Sequence, residues 1–150
     1  MKKTLNFIMG IAVLAMIISL FMVKLHYSEE DSGFCFTGGG CEVVDESDYS
    51  EIFGLPLSLY GFFTFLVIFI LGWFIKKEKR FKIKGRVFGK KGLSLLLLII
   101  SIWSFLFALY LVGLELFVIH AFCSYCLILD VLVVLILIFS VKVYREVLRK

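Results

Sequence analysis

Proline and charged residues are scarce in this sequence. One of its 150 residues is proline and 19% are charged, whereas 61% are hydrophobic. A soluble domain of this size has too small a core to bury 17 phenylalanines and the long runs of Leu, Ile and Val, whereas a lipid bilayer accommodates them. The composition therefore excludes an ordinary soluble domain and predicts a single helical membrane domain over residues 1–150.

Four apolar runs are long enough to cross a membrane as helices, because about 20 residues at about 1.5 Å each span an apolar core of about 30 Å. The predicted spans are residues 5–27, 57–75, 93–116 and 122–141. The first run follows Lys2 and Lys3, as a secretory signal would. It exceeds the roughly 7–15 apolar residues of a signal, and no A-x-A-like cleavage site follows it. We therefore expect a membrane anchor and a bundle of four transmembrane helices.

Charges of opposite sign are segregated between the runs. Residues 28–55 carry eight acidic residues and no Lys or Arg, whereas residues 76–92 carry nine basic residues and one acidic residue. Short loops rich in Lys and Arg face the cytoplasm. A basic loop can also bind nucleic acid or anionic lipid. Membrane topology already explains the basic residues here, so we predict no nucleic-acid partner. The pattern predicts a multi-pass protein of the cytoplasmic (inner) membrane with both termini cytoplasmic and residues 28–55 outside.

The four cysteines form two pairs on the predicted outer face. Cys35 and Cys41 flank the segment FTGGG, whose glycines impose few backbone restrictions. Cys123 and Cys126 form a C-x-x-C pair in the first turn of the fourth helix, where the helix dipole favours a thiolate. Cys126 is expected about 4.5 Å deeper in the membrane than Cys123. The two pairs favour a redox function, and static disulfides are the alternative. A zinc site with four thiolate ligands is disfavoured by the C-x5-C spacing and by the oxidising environment outside the cytoplasm. We therefore predict no metal.

The order of these motifs resembles the vitamin K epoxide reductase family in its bacterial four-helix form. A first span, a loop cysteine pair, the string CEVVDESDYSEIFGLPLS at residues 41–58 and a late C-x-x-C follow one another as in that family. Disulfide-bond oxidases of the DsbB type also combine four helices, two cysteine pairs and quinone, but their C-x-x-C comes first. The resemblance covers nearly the whole chain and implies an all-α, four-transmembrane-helix bundle.

The resemblance also implies a relay of thiol–disulfide exchange that supports disulfide-bond formation. In it, Cys35 forms a mixed disulfide with a reduced thioredoxin-fold (DsbA-like) partner, and Cys41 exchanges with Cys123. Cys126 then passes electrons to a membrane quinone, either menaquinone or ubiquinone. Many members fuse a thioredoxin-like domain that this sequence does not contain, so a separate partner protein is expected. The alternative from another class is a non-enzymatic membrane subunit or scaffold with structural disulfides.

The acidic loop is predicted to carry a short interfacial helix over residues 47–53, because its apolar residues fall on one side. Gly54 and Pro56 would punctuate it. Ser47 matches a loop serine of the family that helps to hold the loop in position. Its alternative role is to cap the short helix.

Asp130 lies one helical turn below Cys126, at a depth where an ionised carboxyl is costly. We expect a protonated acid that hydrogen-bonds or protonates reduced quinone. The alternative is structural pairing with Ser101, Ser104 or Tyr60. Vertebrate family members commonly carry Tyr at the position of Asp130, so simple quinone reduction is favoured over use of vitamin K epoxide.

Other residues near the outer ends of the third and fourth helices are weaker candidates. His120 stands three residues before Cys123, where an imidazolium could stabilise a thiolate or move a proton; a solvated helix-end histidine is the alternative. Glu115 is expected in a solvated or interfacial position. Trp103 is expected to pack between helices.

Overall fold

The computed structural model describes residues 1–27, 51–52, 54–77, 81–83, 86–120 and 123–149. Its long helices are α1 (Lys2–Tyr27), α2 (Leu57–Lys76), α3 (Lys90–Leu114) and α4 (Ser124–Arg149). A π-helical turn, Glu115–Ile119, continues α3. Within this described part of the chain, four helices are long and apolar enough to cross a membrane. The predicted all-α bundle of four membrane-spanning helices is thereby confirmed.

The bundle core is formed by buried side chains from all four helices, α1, α2, α3 and α4. α1 packs along α2 and against α4, and α3 packs along α4. Ala12 and Ala15 are fully buried. Small residues let neighbouring helices approach closely, which matters in a membrane because the hydrophobic effect does not drive helices together in lipid. The largest fully buried apolar side chains of the core are Leu5, Ile8, Ile68, Ile75, Leu97, Ile136 and Val143.

A buried polar contact joins α3 to α4. The hydroxyl groups of Ser101 and Ser140 lie 2.9 Å apart, and Ser101 also donates to the Leu97 carbonyl at 2.7 Å. Because Ser101 has a single hydroxyl proton, Ser140 is the donor between the two serines. Both hydroxyl protons are therefore satisfied inside the apolar bundle.

Trp103 lies on the outer face of the bundle. Its side chain is 73% exposed, so the prediction that it packs between helices is wrong. Leu97, Ser101 and Ala108 occupy the buried face of α3, and a residue two positions beyond Ser101 points away from that face. In a membrane this side chain would face lipid.

Both chain termini lie at one end of the bundle. The amino group of Met1 forms an ion pair with Glu146 at 2.7 Å, which brings the start of α1 beside the end of α4. A Cβ added to Gly72 would lie 3.1 Å from the Met9 side chain, so the end of α2 also lies beside the start of α1. The opposite end of the bundle carries the start of α4.

A two-residue strand, β1 (Glu51–Ile52), pairs antiparallel with β2 (Leu55–Pro56) before α2 begins. Gly54 makes the turn between them at φ +75°, a conformation that glycine adopts without strain. The interfacial helix predicted over residues 47–53 is therefore wrong at Glu51 and Ile52, because the glycine turn reverses the chain there. The rest of that predicted helix lies outside the described residues.

A second hairpin lies in the basic loop. Strand β3 (Phe81–Ile83) pairs antiparallel with β4 (Arg86–Phe88), with Phe81 opposite Phe88. The prediction for residues 76–92 is a loop without strands. The alternation of apolar and basic residues before Gly85 is the signal that indicates the hairpin.

Candidate functional site

The C-x-x-C pair lies where the start of α4 meets the end of α1. Cys123 immediately precedes α4 and is fully buried, whereas Cys126 is partly exposed. Both belong to a cluster with Met22 of α1 and Tyr125, and the rings of Phe21 and Tyr125 lie 5.6 Å apart. The end of α1 therefore packs directly against the thiol pair.

Cys123 caps the N-terminus of α4. Its carbonyl accepts the Leu127 N–H at 3.1 Å, the first hydrogen bond of the helix. Its Sγ accepts the Cys126 N–H at 3.2 Å. A side chain that accepts the N–H of the third helical residue is the usual arrangement at a helix N-cap, here made by sulfur instead of oxygen. A backbone N–H at the start of α4 thus donates to the Cys123 sulfur.

This geometry favours the thiolate of Cys123. The hydrogen bond from the Cys126 side chain is the main reason that the pKa of Cys123 lies below its ordinary value, and the N–H groups of Cys126 and Tyr125 act in the same direction. Burial and the negative charge of Glu115 oppose them without reversing the result. A thiolate is the reactive form in disulfide exchange, so Cys123 is suited to attack or to leave.

The pH dependence of Cys123 alkylation tests this account. In a Cys35→Ala/Cys41→Ala background, reduced Cys123 is expected to react with a small uncharged alkylating reagent down to a pH below the free-cysteine pKa of about 8.5. As the pH falls through the lowered pKa, the thiolate is protonated and the reaction stops. Cys126→Ala removes the principal donor and is expected to move the midpoint upward, as measured by mass spectrometry of the labelled peptide. Cys126→Ser keeps a donor and is the matched control; equal midpoints in the two variants would contradict the account.

Glu115 lies inside the site. Its side chain is 4% exposed, and its Oε2 accepts the Cys123 N–H at 3.4 Å. The Cys126 side chain also hydrogen-bonds to this carboxyl. The expectation of a solvated or interfacial Glu115 is therefore wrong. An ionisable residue near the end of an otherwise uncharged span is itself a functional signal, and that signal points to Glu115.

The backbone after α3 explains how Glu115 reaches the thiol pair. The π-helical turn Glu115–Ile119 is wider than an α-helical turn, and such turns are frequent at functional sites. His120 then adopts the left-handed conformation, with φ 54°, which ends the helix. This path brings the side chain of Glu115 back toward the start of α4, eight residues later in the sequence.

His120 is an exposed residue at this helix end. Its Nδ1 lies 3.3 Å from the Val118 carbonyl oxygen. Histidine is among the residues that tolerate the left-handed conformation best. The contact fits a helix-end position, and a part of His120 in proton movement stays a prediction.

Asp130 is half-buried on α4, one turn after Cys126. Its carboxyl interacts electrostatically with Glu115 and with Cys126. The hydroxyl groups of Ser101 and Ser104 donate to backbone carbonyls of their own helix, so their protons are not available to Asp130. The structure therefore brings Asp130, Glu115 and the C-x-x-C pair together at one end of the bundle.

The predicted loop residues Cys35, Cys41 and Ser47 lie outside the described residues, and their roles stay predictions. In the part of the chain that the structure describes, no group of three or more His, Cys, Asp and Glu side chains could hold a metal ion.

The model of the vitamin K epoxide reductase family matches residues 6–141, which is most of the chain. No curated protein matches the sequence.

Proposed function

Because the chain belongs to the vitamin K epoxide reductase family of quinone-linked thiol oxidoreductases, we propose that it reoxidises a separate thioredoxin-fold, DsbA-like protein and passes the electrons to membrane quinone. The observation that carries this proposal is the geometry of the C-x-x-C pair. Cys123 and Cys126 are free thiols at the N-terminus of a membrane-spanning helix, and the Cys123 sulfur accepts a helix N–H. This arrangement suits a redox couple at the boundary between a protein partner and a lipid-soluble acceptor.

The proposed relay conserves electrons at every exchange. The partner dithiol reduces the Cys35–Cys41 disulfide and becomes a disulfide itself. The Cys41 thiolate attacks Cys123 in the Cys123–Cys126 disulfide, and Cys126 leaves as a thiolate. Cys35 then attacks Cys41, which restores the loop disulfide and leaves Cys123 and Cys126 as a dithiol holding two electrons. Quinone supplies the two-electron acceptor that returns this pair to the disulfide.

Chain length supports the exchange between the two pairs. Met22 of α1 packs against the thiol pair, α1 ends at Tyr27, and Cys35 follows eight residues later. Eight residues span at most about 26–29 Å when extended. The connection from α1 is therefore long enough to bring the loop pair back to Cys123.

The surroundings of Cys126 fit a lipid-soluble acceptor. Cys126 is partly exposed, and the next residues along α4 present apolar side chains outward, with Leu127 and Ile128 both exposed. A quinone dissolved in the membrane meets this side of the helix first. Asp130 stands one turn deeper as a source of protons.

The charge distribution supports an outward-facing thiol pair. The end of the bundle that carries both termini also carries the end of α2, from which the basic residues 76–92 lead to α3. Basic short loops favour the cytoplasmic side. We therefore propose a protein of the cell membrane whose thiol pair, at the opposite bundle end, faces the extracytoplasmic side.

A trapping experiment tests the entry point of the relay. Cys41→Ala removes the thiol that resolves the mixed disulfide, so a partner whose single active-site cysteine carries a small leaving thiol should form a stable adduct at Cys35. Most of the protein is expected to shift in mass, as seen by non-reducing electrophoresis and peptide mapping.

Cys35→Ala is the matched control and should form little adduct. An adduct that maps to Cys123 in the Cys41→Ala protein would reverse the relay order. A scaffold with structural disulfides predicts something else, namely similar adducts at the remaining loop thiol in the two variants and no quinone consumption by the intact protein with several reduced partners.

A further inference from the structure

The buried carboxyl of Glu115 has no part in the relay described above. We propose that Glu115 is a catalytic proton-exchange residue of the C-x-x-C pair, which takes the Cys126 proton as the disulfide forms and returns it as the disulfide opens. This inference rests on the proposed function and deepens it at the same site.

Contacts of the carboxyl with both cysteines carry the inference. Oε2 accepts the backbone N–H of Cys123 at 3.4 Å, and the Cys126 side chain hydrogen-bonds to the same carboxyl. Cys126 has a single S–H proton, which can be donated either to the Cys123 sulfur or to the Glu115 carboxyl, so this proton is shared between the two acceptors. The Glu115 carboxyl therefore interacts with the side chain that the relay releases as a thiolate.

Burial makes the protonation of Glu115 depend on the redox state of the pair. The side chain is 4% exposed, and a buried charge is tolerated only where donors compensate it. In the dithiol state the Cys126 S–H is such a donor. In the disulfide state that donor no longer exists, and the carboxyl is left with the long bond from the Cys123 N–H. The buried carboxyl is therefore lower in free energy when it is protonated, and the proton that leaves Cys126 stays on Glu115.

The proton balance is simple in each direction. When the dithiol is oxidised, a sulfur–sulfur bond forms, two electrons leave to the quinone acceptor, and the Cys126 proton moves to the Glu115 carboxylate. When the Cys41 thiolate attacks Cys123, the sulfur–sulfur bond breaks, and the Cys126 thiolate takes the proton back from the Glu115 acid. The thiolate of Cys126 is thus neutralised as it forms.

A purely structural role makes a different prediction. Glu115 also completes the cap of α4, since in a capping box a carboxylate accepts the N–H of the N-cap residue. Glu115→Gln keeps an acceptor oxygen for this N–H but cannot exchange a proton. Among the residues that the structure describes, the titratable groups that interact with Glu115 are Cys123, Cys126 and Asp130. From α1, the uncharged Met22 packs in the same cluster as the two cysteines.

The test counts protons on the full-length protein without quinone or partner. In a Cys35→Ala/Cys41→Ala background, the pair is equilibrated with reduced and oxidised dithiothreitol between about pH 6 and 8, and the oxidised fraction is measured by alkylation and mass spectrometry. If Glu115 retains one proton in the disulfide state, oxidation of the pair releases one proton fewer in the background protein than in its Glu115→Gln variant. The ratio of the two exchange constants is then expected to change about tenfold per pH unit, which corresponds to about 30 mV in reduction potential. Equal pH dependence in the two proteins would overturn the proposal.

A second measurement does not depend on the folding of the variant. The infrared difference spectrum of disulfide minus dithiol protein is expected to gain the carbonyl band of a protonated carboxyl, and Glu115→Gln or Glu115→Asp should remove or shift it. A spectrum without such a band would contradict the proposal. Because neither measurement uses quinone or a partner, failure of quinone turnover would refute the proposed function and leave this result standing.

Discussion

Replacement of Cys126 by alanine is expected to abolish quinone-dependent oxidation of partner thiols. Cys126 is the partly exposed member of the pair, on a helix face next to lipid-facing apolar residues. Without it the pair cannot form a disulfide, and electrons delivered to Cys123 have no route onward. A loss of about a thousandfold or more is expected, as when a covalent nucleophile is removed. Stopped-flow absorbance of a soluble quinone, with a reduced thioredoxin-fold partner as donor, measures it.

The controls for this prediction depend on the fact that the two cysteines act together as one redox couple. Cys123→Ala should lose as much as Cys126→Ala, and the double variant should lose no more, since residues that act as one unit are not additive. Ser124→Ala, between the two cysteines, should retain turnover. Cys126→Ala protein with parental turnover would refute the quinone-linked relay.

Asp130→Asn is expected to slow quinone reduction by about a hundredfold, the usual range for loss of a positioned acid or base. Asp130 is half-buried one turn below Cys126 and interacts electrostatically with Cys126 and Glu115. Quinone reduction consumes protons that water in the apolar core cannot supply, and the asparagine amide keeps the shape without the proton. Steady-state quinone reduction at saturating partner, measured across pH, gives the result.

Asp130→Glu keeps the acid and is the matched control for Asp130→Asn. Exchange of the C-x-x-C pair with dithiothreitol should remain near parental in Asp130→Asn, because that reaction does not involve the acceptor. Full quinone turnover of Asp130→Asn at every pH would remove Asp130 from the proton path.

The buried carboxyl of Glu115 and the half-buried carboxyl of Asp130 lie at different positions relative to the same thiol. Glu115 contacts both cysteines from the end of α3, whereas Asp130 lies one turn further along α4. Glu115 is therefore placed to exchange the proton of Cys126, and Asp130 to serve the acceptor side. The dithiothreitol equilibrium and the quinone reduction rate separate these two parts.

The sequence by itself determined the membrane class, the four spans and the position of the C-x-x-C pair at the start of the last helix. Each of these follows from local information, since a run of about 20 apolar residues can satisfy its backbone in lipid only as a helix. The family match over residues 6–141 rests on the same kind of linear pattern.

The tertiary structure alone decided which side chains face the thiol pair. Glu115 stands eight residues before Cys123, and it reaches the site only because a π-helical turn and a left-handed His120 reverse the chain. Trp103 faces outward because Leu97 and Ser101 occupy the inner face of α3. Hydropathy reports how apolar a segment is, but not which way each residue of the segment points. That direction depends on helix register and on turns where residues distant in sequence meet.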